Sequence, residues 1–150
     1  MNMMQGGAQP VVARLLDGRT LKGTTRDFGP NKPKFHLFPW GEEADKPLDI
    51  VIGALKAVFF VKSYEGNSEH DEDNSFQTAK GQGRKLVVHF KDSETIAGFT
   101  MGYNPSNQGF FLIPADPESN NARIYVVNAA VNKVEPFSGV APADRAASGS

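Results

Sequence analysis

The chain of 150 residues contains no cysteine, which excludes disulfide bridges, thiolate metal sites and cysteine nucleophiles. It also lacks any apolar run near the ~20 residues that a membrane-spanning helix needs. Its start, "MNMMQGGAQP", has neither the charged nor the apolar region of a signal peptide. Net charge is only −1, which argues against polyanion binding through overall charge. These absences predict a cytoplasmic protein without membrane insertion, and no motif calls for a cofactor.

What the sequence does contain is an internal repeat. Val11–Pro39 aligns without a gap on Leu86–Pro114, 75 positions later, and nine of the 29 aligned residues are identical. A repeat of this kind indicates one structural unit used twice. Because two units of roughly 55 residues each would have marginal cores in isolation, we expect them to pack on each other.

Each repeat carries the signals of five short strands. The turn pair Asp17-Gly18 in the first repeat, or Asp92-Ser93 in the second, follows an apolar segment and predicts a hairpin. The second strand contains an interior glycine, which indicates a bend or a close backbone approach; these glycines are Gly23 and Gly98. The short segment "GALK", or "NAAV" in the second repeat, precedes the fifth strand and suits a single 3₁₀ turn.

The sequence therefore predicts an all-β fold of two tandem five-stranded SH3-like or Sm-like small barrels, related by the repeat and packed on each other. The linker and tail are assigned from their Gly, Ser, Asn and acidic content. The predicted divisions are a flexible N-terminus at 1–10, barrel repeat 1 at 11–65, an acidic flexible linker at 66–83, barrel repeat 2 at 84–137 and a flexible tail at 138–150.

Four segments carry a resemblance to a known family: "DGRTLKGTTRDFGPNKPKFHLFP", "LKAVFFVKSYEGN", "GFFLIPADPESNNAR" and "VVNAAV". With them the chain resembles an uncharacterised bacterial family of tandem small β-barrels, often found beside PilZ domains. The resemblance covers most of residues 11–137. It implies the SH3-like or Sm-like fold and a role in a bacterial regulatory or signalling assembly.

Two departures limit what the resemblance implies. RNA-binding Sm proteins carry an Asp-x-x-Met-Asn stretch where this chain has "FGPNKP" and "YNPSNQ", so the barrel is implied without uridine binding. PilZ domains recognise cyclic-di-GMP through an arginine pair and an Asp/Asn-x-Ser-x-x-Gly stretch. Neither is present here in usable form, which argues against direct binding of a cyclic dinucleotide.

Charge is distributed unevenly between the repeats. Residues 13–62 contain nine basic and six acidic side chains, a charge of +3, whereas residues 84–137 contain five of each. The connector 64–83 carries one base and five acids, a charge of −4. One hypothesis that follows is that the acidic connector folds back over the basic surface of repeat 1 and masks it.

The basic side chains of repeat 1 form a candidate nucleic-acid surface, because basic side chains bind phosphates and a nearby aromatic ring can stack on nucleobases. The alternative is a solvated strand face, with the aromatic ring packed at the barrel rim. The candidate residues are Lys22, Arg26, Lys32, Lys34 and Trp40.

Repeat 2 replaces this basic strand by an apolar one, carrying Phe99, Met101 and Tyr103. An apolar outer face on a small barrel needs a partner. We expect it either to bury the contact between the two barrels or to dock another protein or a second copy of the chain.

Catalytic patterns are missing from the sequence. His36 and His89 have no acidic or histidine partner at ligand spacing, and His70 lies in "EHDED", which suits a flexible acidic linker better than a metal site. The sequence thus predicts a non-enzymatic protein-interaction or adaptor module. RNA or DNA binding by the basic face of repeat 1 is the alternative.

Overall fold

The computed structural model describes residues 8–40, 46–62, 76 and 83–137. Most of the predicted N-terminal segment, linker and tail lies outside the described residues; only residues 8–10, 76 and 83 of them are seen. Within these ranges no helix has the length and apolar character needed to cross a bilayer. The elements are β1 (Gln9–Leu15), β2 (Thr20–Thr25), β3 (Lys34–Pro39), β4 (Leu48–Val51), a 3₁₀ turn (Ile52–Ala54), β5 (Leu55–Val61), β6 (Arg84–Phe90), β7 (Thr95–Thr100), β8 (Gly109–Pro114), β9 (Asn121–Val127), a second 3₁₀ turn (Asn128–Ala130) and β10 (Val131–Pro136).

The all-β prediction is confirmed, and the strands form one open antiparallel sheet in the order β10-β6-β7-β8-β9-β5-β1-β2-β3-β4. The sequence predicted two tandem small barrels packed on each other; here the two halves join in one sheet, because β5 of the first half (β1–β5) pairs with β9 of the second half (β6–β10). This pairing satisfies backbone groups that each half alone would leave at a strand edge. The outermost strands are β4 and β10, and no other strand of the described ranges pairs with their outer sides.

The two halves pair their strands in matching registers. Val11 lies opposite Gly23 between β1 and β2, and Leu86 lies opposite Gly98 between β6 and β7. Each residue of the second pair is therefore 75 positions after its equivalent in the first pair. The pairs between β2 and β3 and between β7 and β8 differ by the same offset.

The turn between β1 and β2 and the turn between β6 and β7 each form around an aspartate side chain. Asp17 and Asp92 each accept a hydrogen bond from the backbone N–H two residues later, at 2.9 and 3.0 Å. The intervening residue has a positive φ, +98° at Gly18 and +79° at Ser93. The second turn therefore holds a serine in the left-handed region that glycine favours.

The paired strands β5 and β9 separate two hydrophobic cores. Successive side chains of a strand point to opposite faces. Val58 and Tyr125 accordingly lie in the core of the first half, while Ala57 and Val126 lie in that of the second. Because both faces are buried, "AVFFV" (57–61) and "IYVV" are continuous apolar runs rather than alternating ones.

The two interior glycines allow a neighbouring backbone to come close, as their positions in the sequence indicated. A Cβ atom at Gly23 would lie 2.2 Å from the carbonyl oxygen of Phe38, and one at Gly98 would lie 2.3 Å from that of Ile113. No side chain fits at either position unless the adjacent strand shifts.

We expect Gly98→Ala to lower the free energy of unfolding by about 1–3 kcal/mol, because the backbone of β8 must move. Gly53→Ala is the matched control, since nothing lies within 4 Å of a Cβ built there. Urea denaturation followed by circular dichroism measures both variants. Equal stability of the two variants would contradict the close approach.

Candidate functional site

The junction between the halves is held by polar contacts as well as by the pairing of β5 with β9. Gln108 Nε2 donates hydrogen bonds to the carbonyl oxygens of Pro30 and Lys32, at 2.8 and 2.7 Å. The Tyr125 hydroxyl donates to the same Pro30 oxygen at 2.8 Å. Burial raises the pKa of Tyr125 above its ordinary value of 10.0.

A buried lysine provides a second polar contact across the junction. Lys56 of β5 is 4% exposed, and its Nζ donates to the carboxylates of Asp92, at 2.7 Å, and Glu94 in the second half. The same Nζ lies 4.7 Å from the ring centroid of Phe90. The hydrogen bond from Lys56, followed by that from the Glu94 N–H, lowers the pKa of Asp92 below its ordinary value.

A cleft of about 410 Å³ also lies at the junction. Its charged lining side chains are Arg14 and Lys22 from the first half and Glu94 from the second, while Phe59 and Ile124 contribute apolar surface. The volume is in the range of small-molecule sites. The lining mixes both signs of charge, and of the five predicted nucleic-acid residues it includes Lys22 alone.

His36 has two acidic partners that the sequence did not indicate. Its Nδ1 lies 2.7 Å from Asp27 Oδ2, and its Nε2 lies 3.2 Å from Asp49 Oδ1 on the neighbouring strand β4. Burial raises the pKa of Asp27, but the hydrogen bonds from His36 and Thr25 outweigh it, so the net pKa is lowered. Strand pairing brings these groups together, which is why spacing along the chain did not reveal them.

His89 is likewise paired across strands, with Nε2 2.5 Å from Glu135 Oε2 of β10. The third histidine, His70, lies outside the described residues. Within the described part of the chain, no three His, Cys, Asp or Glu side chains are grouped so that they could hold a metal ion. The two imidazoles are therefore best described as hydrogen-bonded links to neighbouring strands and loops.

The predicted nucleic-acid residues are all exposed, but they do not form one compact patch. Trp40, 60% exposed, donates its backbone N–H to the carbonyl oxygen of Lys22 at 3.0 Å. Lys34 begins β3, so the rise along that strand puts it about 20 Å from Trp40. Asp27, whose carbonyl oxygen accepts a hydrogen bond from Lys32 Nζ, follows Arg26 directly in sequence. The basic side chains are thus spread along an extended band rather than gathered in one patch, and the Asp27–His36–Asp49 cluster lies beside this band.

The three residues of the predicted apolar face are separated in the structure. Phe99 is buried against the ring of Phe76, with 5.3 Å between centroids. Tyr103 packs on Phe110 in the second core, with a centroid distance of 4.7 Å. Met101 alone of the three is open to solvent, at 83% exposure. Phe76 is the covering residue that the strand pattern did not reveal.

The outer edges of the sheet differ in character. On β4, Leu48 is 40% and Val51 54% exposed. On β10, the corresponding exposed or partly exposed positions include Lys133, Glu135 and Pro136. Charges and proline are the usual means by which an edge strand avoids pairing, so β4 is the more open edge for a partner.

We expect Asp92→Asn to lower the free energy of unfolding at neutral pH by about 1–2 kcal/mol, since a buried ammonium loses a charged acceptor that is itself partly screened by water. Because the pKa of Asp92 is lowered in the folded state, its contribution is present above its ordinary value of 3.8 and is lost as pH falls below it. The difference between wild type and variant should therefore shrink in denaturation curves recorded below that pH.

Asp17→Asn is the matched control, because the equivalent turn aspartate bonds the exposed side chain of Arg19 instead of a buried lysine. A smaller loss of stability is expected for it. Equal losses for both variants, or a loss at Asp92 that is independent of pH, would contradict the role of Lys56.

We expect Phe76→Ala to lower the free energy of unfolding by about 3–5 kcal/mol, because the ring fills a cluster with Phe99 and Phe137. Met101→Ala should change it by less than about 0.5 kcal/mol, because that side chain is open to solvent. Thermal denaturation of the full chain measures both. Similar effects at the two positions would show that Phe76 does not cover this face.

Comparison with known proteins identifies a family but no function. Among curated proteins and among solved structures, none matches the chain. A family of unknown function, DUF6982, matches residues 7–138, which include every strand described above. The chain therefore belongs to the DUF6982 family.

Proposed function

We propose that the chain is a non-enzymatic protein-interaction module that acts as an adaptor in a bacterial regulatory or signalling assembly. The observation that carries this proposal is the outer edge of β4, which pairs with no other strand of the described residues and where Leu48 and Val51 are exposed. An exposed edge strand binds an extended segment of a partner through backbone hydrogen bonds, and neighbouring side chains add specificity. The bacterial setting rests on the family resemblance of the sequence.

The fold of each half is part of the same proposal. Each half is a five-stranded SH3-like or Sm-like unit of a tandem repeat, in which the last strand is reached through a 3₁₀ turn. The matching registers support this assignment, as do the two aspartate turns. The two cores on opposite faces of β5 and β9 are what two curled units sharing an edge would produce.

Comparison of β4 with the equivalent strand of the second half suggests how β4 binds a partner. Its counterpart in the second half is β9, since Leu48–Val51 aligns with Ile124–Val127 at an offset of 76. β9 is covered on one side by β8 and on the other by the apolar strand β5. Among the described residues β4 has only β3 beside it, so its outer edge is open where the equivalent edge of β9 is covered by the apolar strand β5.

A non-enzymatic role is supported by the positions of the groups that could do acid–base chemistry. His36 is engaged on both ring nitrogens by carboxylates, and His89 is bonded to Glu135. The buried amine of Lys56 is occupied by two carboxylates. In the described ranges these groups are engaged by carboxylates, and none of the three lines the cleft.

The edge is tested by a pull-down with tagged full-length chain from nuclease-treated lysate. We expect wild type to retain a specific protein that Val51→Lys loses, because a lysine among the exposed apolar side chains of β4 disfavours pairing with an apolar partner strand. Met101→Lys is the matched control, since it places the same charge on an exposed apolar side chain away from β4. Loss of the partner with Met101→Lys alone would place the site on the other half instead. Equal retention by all three proteins would contradict the use of β4.

Nucleic-acid binding is the second candidate, favoured by the exposed side chain of Trp40, whose backbone N–H bonds to the carbonyl oxygen of the exposed Lys22. An exposed aromatic next to a cation is the arrangement on which single-stranded bases stack. The Asp27 and Asp49 carboxylates beside the band of cations weigh against it.

Binding of a fluorescent oligonucleotide separates the two candidates. If the band binds nucleic acid, affinity should fall steeply with added salt and Trp40→Ala should weaken it by about tenfold. Val51→Lys should leave that affinity unchanged. Absence of binding at low salt would remove this candidate and leave the protein-interaction proposal intact.

A further inference from the structure

The strands β4 and β10, whose outer edges no other described strand covers, are the counterparts of the two strands that pair at the centre of the sheet. We infer that these edges pair with each other between copies of the chain, so that β4 of one copy adds to β10 of the next. This inference rests on the proposed protein-interaction function and names the partner as a second copy. It assigns to the chain a head-to-tail assembly through backbone pairing.

The register of this contact follows from the pairing at the centre. There, Phe59 of β5 lies opposite Ile124 of β9. The alignment offset of 76 carries Phe59 to Glu135 of β10, and carries Ile124 back to Leu48 of β4. Glu135 of one copy should therefore lie opposite Leu48 of the next.

The geometry of the contact is heterologous. β4 and β10 are different strands at opposite ends of the sheet order, so every copy offers one edge of each kind. A contact between unlike surfaces forms a ring when its rotation closes and an open filament when it does not. In either arrangement the strand environment that β9 has inside the chain would be reproduced for β4.

The side chains of β10 make this contact weaker than the one inside the chain. Lys133 and Glu135 occupy the positions that Ala57 and Phe59 occupy on β5, so less apolar surface is buried at the same backbone register. Glu135 is also bonded to His89 of its own copy. The association should therefore be reversible and dependent on concentration, whereas the central pairing is held within one chain.

Disulfide trapping tests the register directly, because the chain has no cysteine of its own. Leu48→Cys and Glu135→Cys are made in separate full-length chains, mixed, and oxidised mildly. We expect a disulfide-linked heterodimer on non-reducing gels. The positive control is the double variant Phe59→Cys/Ile124→Cys, which carries the equivalent pair within one chain. The negative control replaces Leu48→Cys by Met101→Cys, on an exposed side chain away from both edges.

The outcomes of trapping are distinct. Failure of the Leu48→Cys and Glu135→Cys mixture to link, while the internal pair links, would overturn the inference. So would preferential linking of Leu48→Cys to itself, since that would show two β4 edges pairing symmetrically. Linking that is no stronger than with Met101→Cys would count as random collision and would equally overturn it.

A second measurement does not depend on cysteine variants. Sedimentation velocity of wild type over a concentration series should show growth beyond the monomer. Lys133→Ala/Glu135→Phe makes β10 resemble β5 and should strengthen association by at least about tenfold, the effect of burying one large apolar side chain. Val51→Lys should weaken it. Wild type and the double variant both remaining monomeric would overturn the inference.

These results separate the inference from the function on which it rests. If wild type stays monomeric while Val51→Lys still loses a different protein in the pull-down, the second-copy partner is wrong and the use of β4 as an interaction edge stands. If Val51→Lys changes neither the assembly nor the pull-down, both fail.

Discussion

The pairing of β5 with β9 is the contact on which the rest of this structure depends. It joins the two halves through backbone hydrogen bonds, and it gives both strands a hydrophobic core on each face. Each half would otherwise be a unit of marginal size with an exposed apolar strand at its edge. Because each core draws side chains from the other half's strand, such as Tyr125 in the first and Ala57 in the second, neither half is complete alone.

The polar contacts of the junction show how one local motif has two uses. In both halves an aspartate closes the first hairpin by accepting a backbone N–H. Asp17 also bonds its exposed neighbour Arg19, whereas Asp92 bonds Lys56 of the other half. A buried ammonium needs compensating charges, so the second turn orients the halves as well as closing a hairpin. The open edge of β4 follows from the same arrangement, since the central pairing uses one edge of each half and leaves one of each free.

Much of the fold could be predicted from local sequence. The aspartate turns, the interior glycines and the 3₁₀ turn before each last strand are set by residues close in sequence, and the structure contains all of them. The candidate sites were harder to predict. Phe99 is covered by Phe76 from the connector, and His36 is held by Asp49 from a neighbouring strand. Both partners are distant along the chain or lie in a segment without strand periodicity, so spacing and alternation carried no signal for them.

The sequence by itself determined that this protein is all-β, because turn chemistry and alternating apolar residues act over a few positions. The apolar segments "AVFFV" and "IYVV" belong to β5 and β9. Only the tertiary structure decided that these two strands pair with each other and make one sheet from ten strands. The reason is that strand edges are built from backbone groups shared by every residue, so side-chain patterns do not specify which edges meet. The free edges β4 and β10 are a consequence of that choice.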